Sequence, residues 1–432
     1  MMTQPGRGLA ASLAAAWLVL IAYMTLQPTE AVVITPTFCI FCGPLGGTDF
    51  VLNVVLFVPL GMTLHWATGR WKVSAMAGAI ITLAIEVLQW RLVAGRDASL
   101  GDLLANTLGT LLGAWIAVEL FRWLNAGGVA ARRYAAIFGI VTAAVFLVSA
   151  WLLQPGQTRL WQLVQWTPQA INADLFQGQL FAVELNGRPI AEGALVSPAE
   201  MYDSTSHSMV VRASVGANPP LTRRPAVIVR IENYYEQGFS LTQRGQQATF
   251  RTHLAAVRLK LRAIAVGLDS ALSVSNSAMA GTDRPVTIEA IANPRMMLVR
   301  RRHASGESSV ILQRTVGLAW ALFTPWDVAL GPRWWPVNAL WLATLLLPVS
   351  FFAVRSLSAP TGNPAPTIAW WPLTLVLSVL VAIPLTGLSA LGAGEWFGVV
   401  VGIVAGLILE RATAMPAGTD LKAVAPDDTI LS

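Results

Sequence analysis

The stretch Asp49-Phe-Val-Leu-Asn-Val-Val-Leu-Phe-Val-Pro-Leu-Gly61 decides the fold of this chain. It is apolar almost without interruption and runs on to Ala67. As a helix rising about 1.5 Å per residue it spans roughly 28 Å, close to the thickness of a bilayer's hydrocarbon core. Seven further segments have spanning character: Leu9–Leu26, Val73–Val93, Asp102–Phe121, Tyr134–Leu153, Trp335–Val354, Ile368–Leu388 and Glu395–Leu409. The expected fold is therefore an α-helical polytopic membrane protein of about 8 transmembrane helices. Composition agrees. Of 432 residues 55% are hydrophobic and only 12% charged, with 17 Trp, a residue that favours the membrane–water boundary. Mean hydropathy is +0.58. The net charge of +6 is not gathered into a Lys/Arg run interleaved with aromatics, so nucleic acid is not an expected partner.

Working outward from Asp49, the fifth and sixth apolar segments are separated by a polar block without a spanning segment. The expected organisation is a five-helix unit at 1–153 with its motif core at 39–122, an inserted domain at 154–333, a three-helix unit at 334–411 and a tail at 412–432. If the amino terminus is cytoplasmic, the inner segments carry Arg7, Arg70, Lys72, Arg122, Arg132, Arg133, Arg355, Arg411 and Lys422, and the short outer loops carry only Arg91 and Arg96. The positive-inside rule then places both termini in the cytoplasm and the block outside it. Arg7 and the apolar run after it also suit a signal peptide. Yet the run has spanning length, and Gln27-Pro28-Thr29-Glu30-Ala31 is a poor cleavage site, so a retained helix is expected.

The block reads as all-β. Pro225–Ile231, Gly238–Gln243, Ala248–Leu254 and Met297–Arg302 are short β-branched or alternating runs, punctuated by turn pairs at Asn186-Gly187, Arg244-Gly245 and Ser305-Gly306. A two-sheet sandwich is expected. Cys39 and Cys42 fall in the first outer loop, where disulfides persist. A local disulfide, two unpaired thiols and a redox pair all remain open, and two cysteines cannot complete a four-ligand zinc site.

Ionisable groups in hydrocarbon cost roughly 2.5–3.5 kcal/mol each. Three apolar segments nevertheless carry them together: Asp49 with Asn53, Glu86 with Gln89, and Asp102 with Asn106, each pair on one helical face. Asp49 and Asp102 open their helices at the outer boundary. Asn53 and Asn106 lie about 6 Å deeper, and Glu86 and Gln89 roughly 7–12 Å below the outer end of a helix running the other way. All reach the outer half of the membrane, with Arg96 in the loop above them and Arg91 as the only other neighbouring cation. Carboxamides that glue helices together explain Asn53, Gln89 and Asn106. They do not explain three carboxylates, which need protons, a cation or a cationic ligand. Gly109 and Gly113 add a G-x-x-x-G step that lets a neighbouring backbone approach.

Taken in order, Asp49…Asn53-Val-Val-Leu-Phe-Val-Pro-Leu-Gly61, Ile85-Glu86-Val-Leu-Gln89 and Gly95-Arg96-Asp97-Ala-Ser-Leu-Gly-Asp102-Leu-Leu-Ala-Asn106-Thr107-Leu-Gly109 resemble the VanZ-like family over about Cys39–Arg122. The family is named for a protein linked to teicoplanin resistance. The resemblance implies a bacterial cell-envelope protein and supplies no settled reaction. By pattern rather than motif, the block also resembles concanavalin A/laminin-G-like jelly rolls.

Two functions compete. In one, the polar cluster binds or processes a lipid-linked or anionic envelope amphiphile, with an effect on glycopeptide susceptibility. Arg96 grips the head, Glu86 is the acid/base candidate, Asp102 completes the catalytic set, and Asp49, Asn53, Gln89 and Asn106 bind substrate. No cofactor is identified, although Asp49 and Asp102 can hold a divalent metal. In the other, the block is a membrane-anchored, non-catalytic glycan binder, for which Tyr234 and Tyr235 can stack on sugar while Glu232 and Glu236 read as a solvated face. No Ser–His–Asp set, P-loop or multi-His cluster occurs, so enzyme and binder both stay open. Transport ranks last, because the cluster sits near one surface rather than at mid-membrane. The last three helices are expected to carry almost no intramembrane charge.

Overall fold

The computed structural model describes residues 5–27, 39–41, 43–93, 99–156, 158–170, 173–203, 207–233, 237–274, 285–357 and 366–413. Five long helices come first: α1 (Arg7–Thr25), α2 (Gly46–Thr68), α3 (Trp71–Leu92), α4 (Leu100–Leu124) and α5 (Gly128–Leu152). The block follows with β1 (Gln162–Trp166), β2 (Leu180–Leu185), β3 (Arg188–Pro189), β4 (Leu195–Val196), the short helix α6 (Pro198–Met201), β5 (Met209–Val215), β6 (Ala226–Glu232), β7 (Gln237–Arg244), β8 (Gln247–Thr252), β9 (Ala265–Leu268), β10 (Val286–Ala292), β11 (Met296–His303), β12 (Gly306–Gln313) and β13 (Ala329–Leu330). Three helices complete the chain: α7 (Trp335–Arg355), α8 (Pro366–Ala382) and α9 (Ala393–Thr413).

Among the described residues, 8 helices are long and apolar enough to cross a membrane. Their outward faces leave Val19, Trp90, Trp115, Val148, Leu340 and Phe397 more than half exposed. Bare apolar side chains on every long helix suit lipid and not water. One end of the helical body gathers the cations. Arg7 approaches the α2–α3 turn at Gly69, and Arg355 Nε donates to Ala126 O in the α4–α5 turn at 3.0 Å. The β block attaches at the opposite end.

In the block, seven strands in the order β13-β9-β8-β7-β6-β1-β4 and six in the order β12-β11-β10-β5-β2-β3 form two sheets, antiparallel throughout except for the β13–β9 pair. The strict burial alternation of β5 shows why these residues form strands: Met209, Val211, Ala213 and Val215 point inward. One core joins Val211, Ile288 and Val299 of one sheet to Val229, Phe239 and Phe250 of the other. Hairpins fall where the turn pairs predict them. Asn186 and Gly187 both take positive φ, 51° and 79°, between β2 and β3.

The block and the first helices are built into one another at the start of α2. A helix leaves its first N–H groups without intrahelical partners. Here Gly47 and Thr48 donate theirs to Lys260 O, at 3.2 and 3.3 Å. The Thr48 hydroxyl donates to Leu322 O at 3.0 Å and accepts from Arg262 N at 3.0 Å. Gly47 is required for this approach, because a β-carbon there would lie 2.0 Å from Leu259 O. Gly47→Ala is expected to destabilise the purified full chain by about 2 kcal/mol. An unchanged melting temperature would show that the junction carries no stability.

Small residues also set α2 against α4. A β-carbon at Gly109 would lie 2.3 Å from Val54 O, and one at Gly113 2.0 Å from Val58 O. Gly61 makes the reciprocal approach, 2.1 Å from Thr110 O. Gly113→Leu therefore meets backbone rather than a side chain that can swing away, and loss of at least about 3 kcal/mol is expected. Membrane abundance after cell fractionation measures it, and wild-type abundance would contradict the close approach. A second glycine row at Gly398, Gly402 and Gly406 seats α9 on α7 in the same way.

One expectation needs correction here. The last three helices are not almost free of charge, since Glu395 and Glu410 of α9 are both buried, 5% and 6% exposed.

Candidate functional site

The polar residues of α2, α3 and α4 meet at the end of the helical body nearest the block. Ser99 caps α4: its side chain accepts from Asp102 N at 3.3 Å. In a capping box the third helical residue would return its carboxylate to the cap's own N–H. Here that N–H goes instead to Glu86 Oε2 of α3, at 2.8 Å. The Asp102 carboxylate is thereby left to accept from Asn53 Nδ2 of α2, at 2.7 Å. One exchange of partners ties three helices together. Ser99 was not among the sequence candidates, although the Ser99-Leu-Gly-Asp102 spacing is a capping signature that could have found it.

Glu86 is 5% exposed, Asn106 2% and Gln89 4%, while Asn53 and Asp102 are half-buried and Asp49 is exposed. Gln89 turns to another partner. Its Nε2 donates to Thr25 O at 2.8 Å and fastens α3 to the end of α1. Thr82, one turn below Glu86 on α3, also escaped the sequence reading. α3 and α4 run antiparallel, with Gly78 against Thr110 and Glu86 against Ser99, a register that sets Thr82 opposite Asn106. Thr82 Oγ1 and Asn106 Oδ1 are both buried with no hydrogen-bond partner among the described residues. Buried polar atoms are nearly always satisfied, so two open ones on facing helices are an exception in this packing.

Two candidates fall outside the described residues. Arg96 lies in 94–98 and Cys42 is a single such position, so the gripping Arg and the Cys39–Cys42 pairing both lie there. So do Tyr234, Tyr235 and Glu236 of the glycan reading. The cation count needs correction. Arg91 is not the only further cation near the cluster: it stacks on the Trp90 ring, 4.3 Å from its centroid, while Arg262 of the block feels the charge of Asp49. Burial pushes the Arg262 guanidinium below its ordinary value, and Asp49 pulls it back up. A charge interaction across more than two hundred residues has no local signature in sequence.

A cavity of about 820 Å³ lies at the same level. Phe50 and Val51 line it, turned roughly 100–200° around α2 from Asp49. Phe41, Leu152 and Phe323 make its apolar wall, with Arg258 and Lys260 at its edge. It therefore flanks the polar cluster across α2 rather than continuing it. No group of three or more metal-ligating side chains occurs among the described residues.

These features define a multi-pass helical membrane protein that carries a β domain and gathers its intramembrane polar groups beneath it. The family model described as VanZ/LLP1 matches residues 10–122, the span from α1 to α4 that holds the cluster. The likeness read from the motifs thus extends back through the first helix. No curated protein and no solved structure matches the chain.

Proposed function

We propose that the α2–α4 cluster binds the head of an amphiphile in the outer leaflet, a lipid-linked or otherwise anionic envelope molecule, and that this binding alters glycopeptide susceptibility. The observation that carries the reading is the buried Glu86 carboxylate standing over the open oxygens of Thr82 and Asn106. A buried carboxylate held by a backbone N–H is suited to exchange a proton with a bound head group. Asp102, fixed by Asn53, orients the site, and Arg96 supplies the charge that grips an anion. The neighbouring apolar cavity, edged by Arg258 and Lys260, suits the tail and glycerol-level part of such a molecule.

The cationic end of the helical body supports a cytoplasmic location for both termini and an outer location for the block, in a bacterial inner membrane. The two antiparallel sheets support a jelly-roll-type sandwich for that block. Asp102→Asn and Arg96→Lys test the site. Each is expected to abolish the glycopeptide phenotype of the host while membrane abundance stays within about twofold of wild type, as uncrowded polar swaps permit. Full phenotype in both variants would sink the reading, and lost abundance would assign the residues to helix glue.

A further inference from the structure

The long helices pack as two sets. α2 packs against α1, α3 and α4, while α5 packs against α7 and α8, and α9 against α7. The sets meet at their two ends. Away from the block, Trp123 of α4 stands edge-on to Phe138 of α5, with ring centroids 5.9 Å apart. Beneath the block, the segment Val316–Phe323 touches both α2 and α5. The apolar cavity of about 820 Å³ lies at this second junction, with Phe50 and Val51 of α2 and Leu152 of α5 among its walls.

Both walls continue into the membrane as bare hydrocarbon. One turn deeper than Val51, on the same face of α2, Val55 is 60% exposed. One turn deeper than Leu152, Val148 of α5 is 52% exposed, and Val141 repeats this two turns further on. An apolar cavity stays dry, so one that continues into a bilayer is filled by lipid hydrocarbon rather than by water. Its rim is cationic. Arg258 and Lys260 line it from a single turn of the block, and both are exposed. Lys260 Nζ donates to Phe41 O at 2.6 Å, which holds the ammonium at the rim with one of its three N–H groups. No carboxylate lines the cavity among the described residues.

We propose that this cavity holds an anionic glycerophospholipid of the outer leaflet, its phosphate against Arg258 and Lys260 and an acyl chain descending past Val55 and Val148 between the two helix sets. Two neighbouring cations match a phosphate that carries the net charge of its head group. A zwitterionic head brings its own cation and gains less from them. The proposal rests on the reading that the cavity takes part of an outer-leaflet amphiphile, and adds the chemical class of that molecule and the course of its chain.

The test uses the purified full chain in detergent, titrated with phosphatidylglycerol, with phosphatidylcholine of the same chains, and with glycerol 3-phosphate. Native mass spectrometry reads bound lipid and a thermal melt reads stabilisation. Phosphatidylglycerol is expected to bind saturably, about tenfold tighter than either other probe. Arg258→Gln combined with Lys260→Gln is expected to remove that preference. If the double variant does not fold, Arg258→Gln alone carries the charge test. Val55→Trp, which blocks the path of the chain from an exposed position, is expected to weaken binding about tenfold, the worth of about two displaced methylene groups. Val19→Trp on the lipid-facing side of α1 is expected to leave it unchanged. Equal binding of the two phospholipids, equally tight binding of glycerol 3-phosphate, or wild-type binding in Val55→Trp or in the folded charge variant overturns the proposal. Lipid binding is read without the glycopeptide phenotype, so its failure leaves the Glu86 cluster standing, and a silent Glu86→Gln leaves this site standing.

Discussion

Glu86→Gln is expected to abolish the glycopeptide phenotype at unchanged membrane abundance, whereas Glu86→Ala is expected to lose both. Glutamine is nearly isosteric and its carbonyl oxygen can still accept from Ser99 N, the bond that seats the carboxylate at 2.8 Å. What it cannot do is carry charge or exchange a proton. A positioned acid or base contributes roughly a hundredfold to ten-thousandfold, so loss of function with the fold intact is the expected signature of a working group. Alanine removes the acceptor as well. It leaves the Ser99 N–H open and a void between α3 and α4, at about 2–4 kcal/mol together. Immunoblots of washed membranes and growth in a glycopeptide dilution series read the two quantities. Glu86→Gln cells indistinguishable from wild type would reduce the carboxylate to helix glue.

How much of this was legible in the chain follows from the range of each interaction. The helices were readable because a spanning segment is a local property of some twenty residues. The helix ends were less so: α2 opens at Gly46, three residues before Asp49, because its first N–H groups are capped by Lys260 of the block. The three polar pairs were visible as residue types at helical spacing. Their partners were not. Asn53 meeting Asp102 and Glu86 meeting Ser99 depend on how three helices cross, as does the bond from Gln89 to Thr25 O of α1. Thr82 was passed over because a threonine in an apolar helix ordinarily bonds its own backbone. Arg262 was invisible for a different reason. An arginine in a β-rich block reads as surface until the fold buries it.

The same logic reaches the last three helices, where Glu395 holds the largest remaining consequence. At the start of α9 its carboxylate accepts from Asn338 Nδ2 of α7 at 3.1 Å, from Gly392 N at 3.0 Å and from the Thr315 hydroxyl of the block. Asn338 in turn accepts from Trp320 Nε1 at 2.8 Å. One side chain thus joins two helices to the segment that leads out of the sandwich, and Gly317 makes room for it, since a β-carbon there would lie 2.2 Å from Glu395 Oε1. Glu395→Ala strands two buried donors, Asn338 Nδ2 and the Thr315 hydroxyl, and a loss of about 3–5 kcal/mol is expected. Gly317→Ala should reach much of the same loss from the other side by displacing the carboxylate. Because both changes break one network, their effects should not add. The double variant is expected to lie within about 1 kcal/mol of Glu395→Ala alone, a coupling that chemical or thermal melts of the full chain resolve. Strict additivity would mean that Gly317 acts on something other than Glu395, and an unperturbed Glu395→Ala would mean that the three-helix unit is held to the block by apolar contact alone.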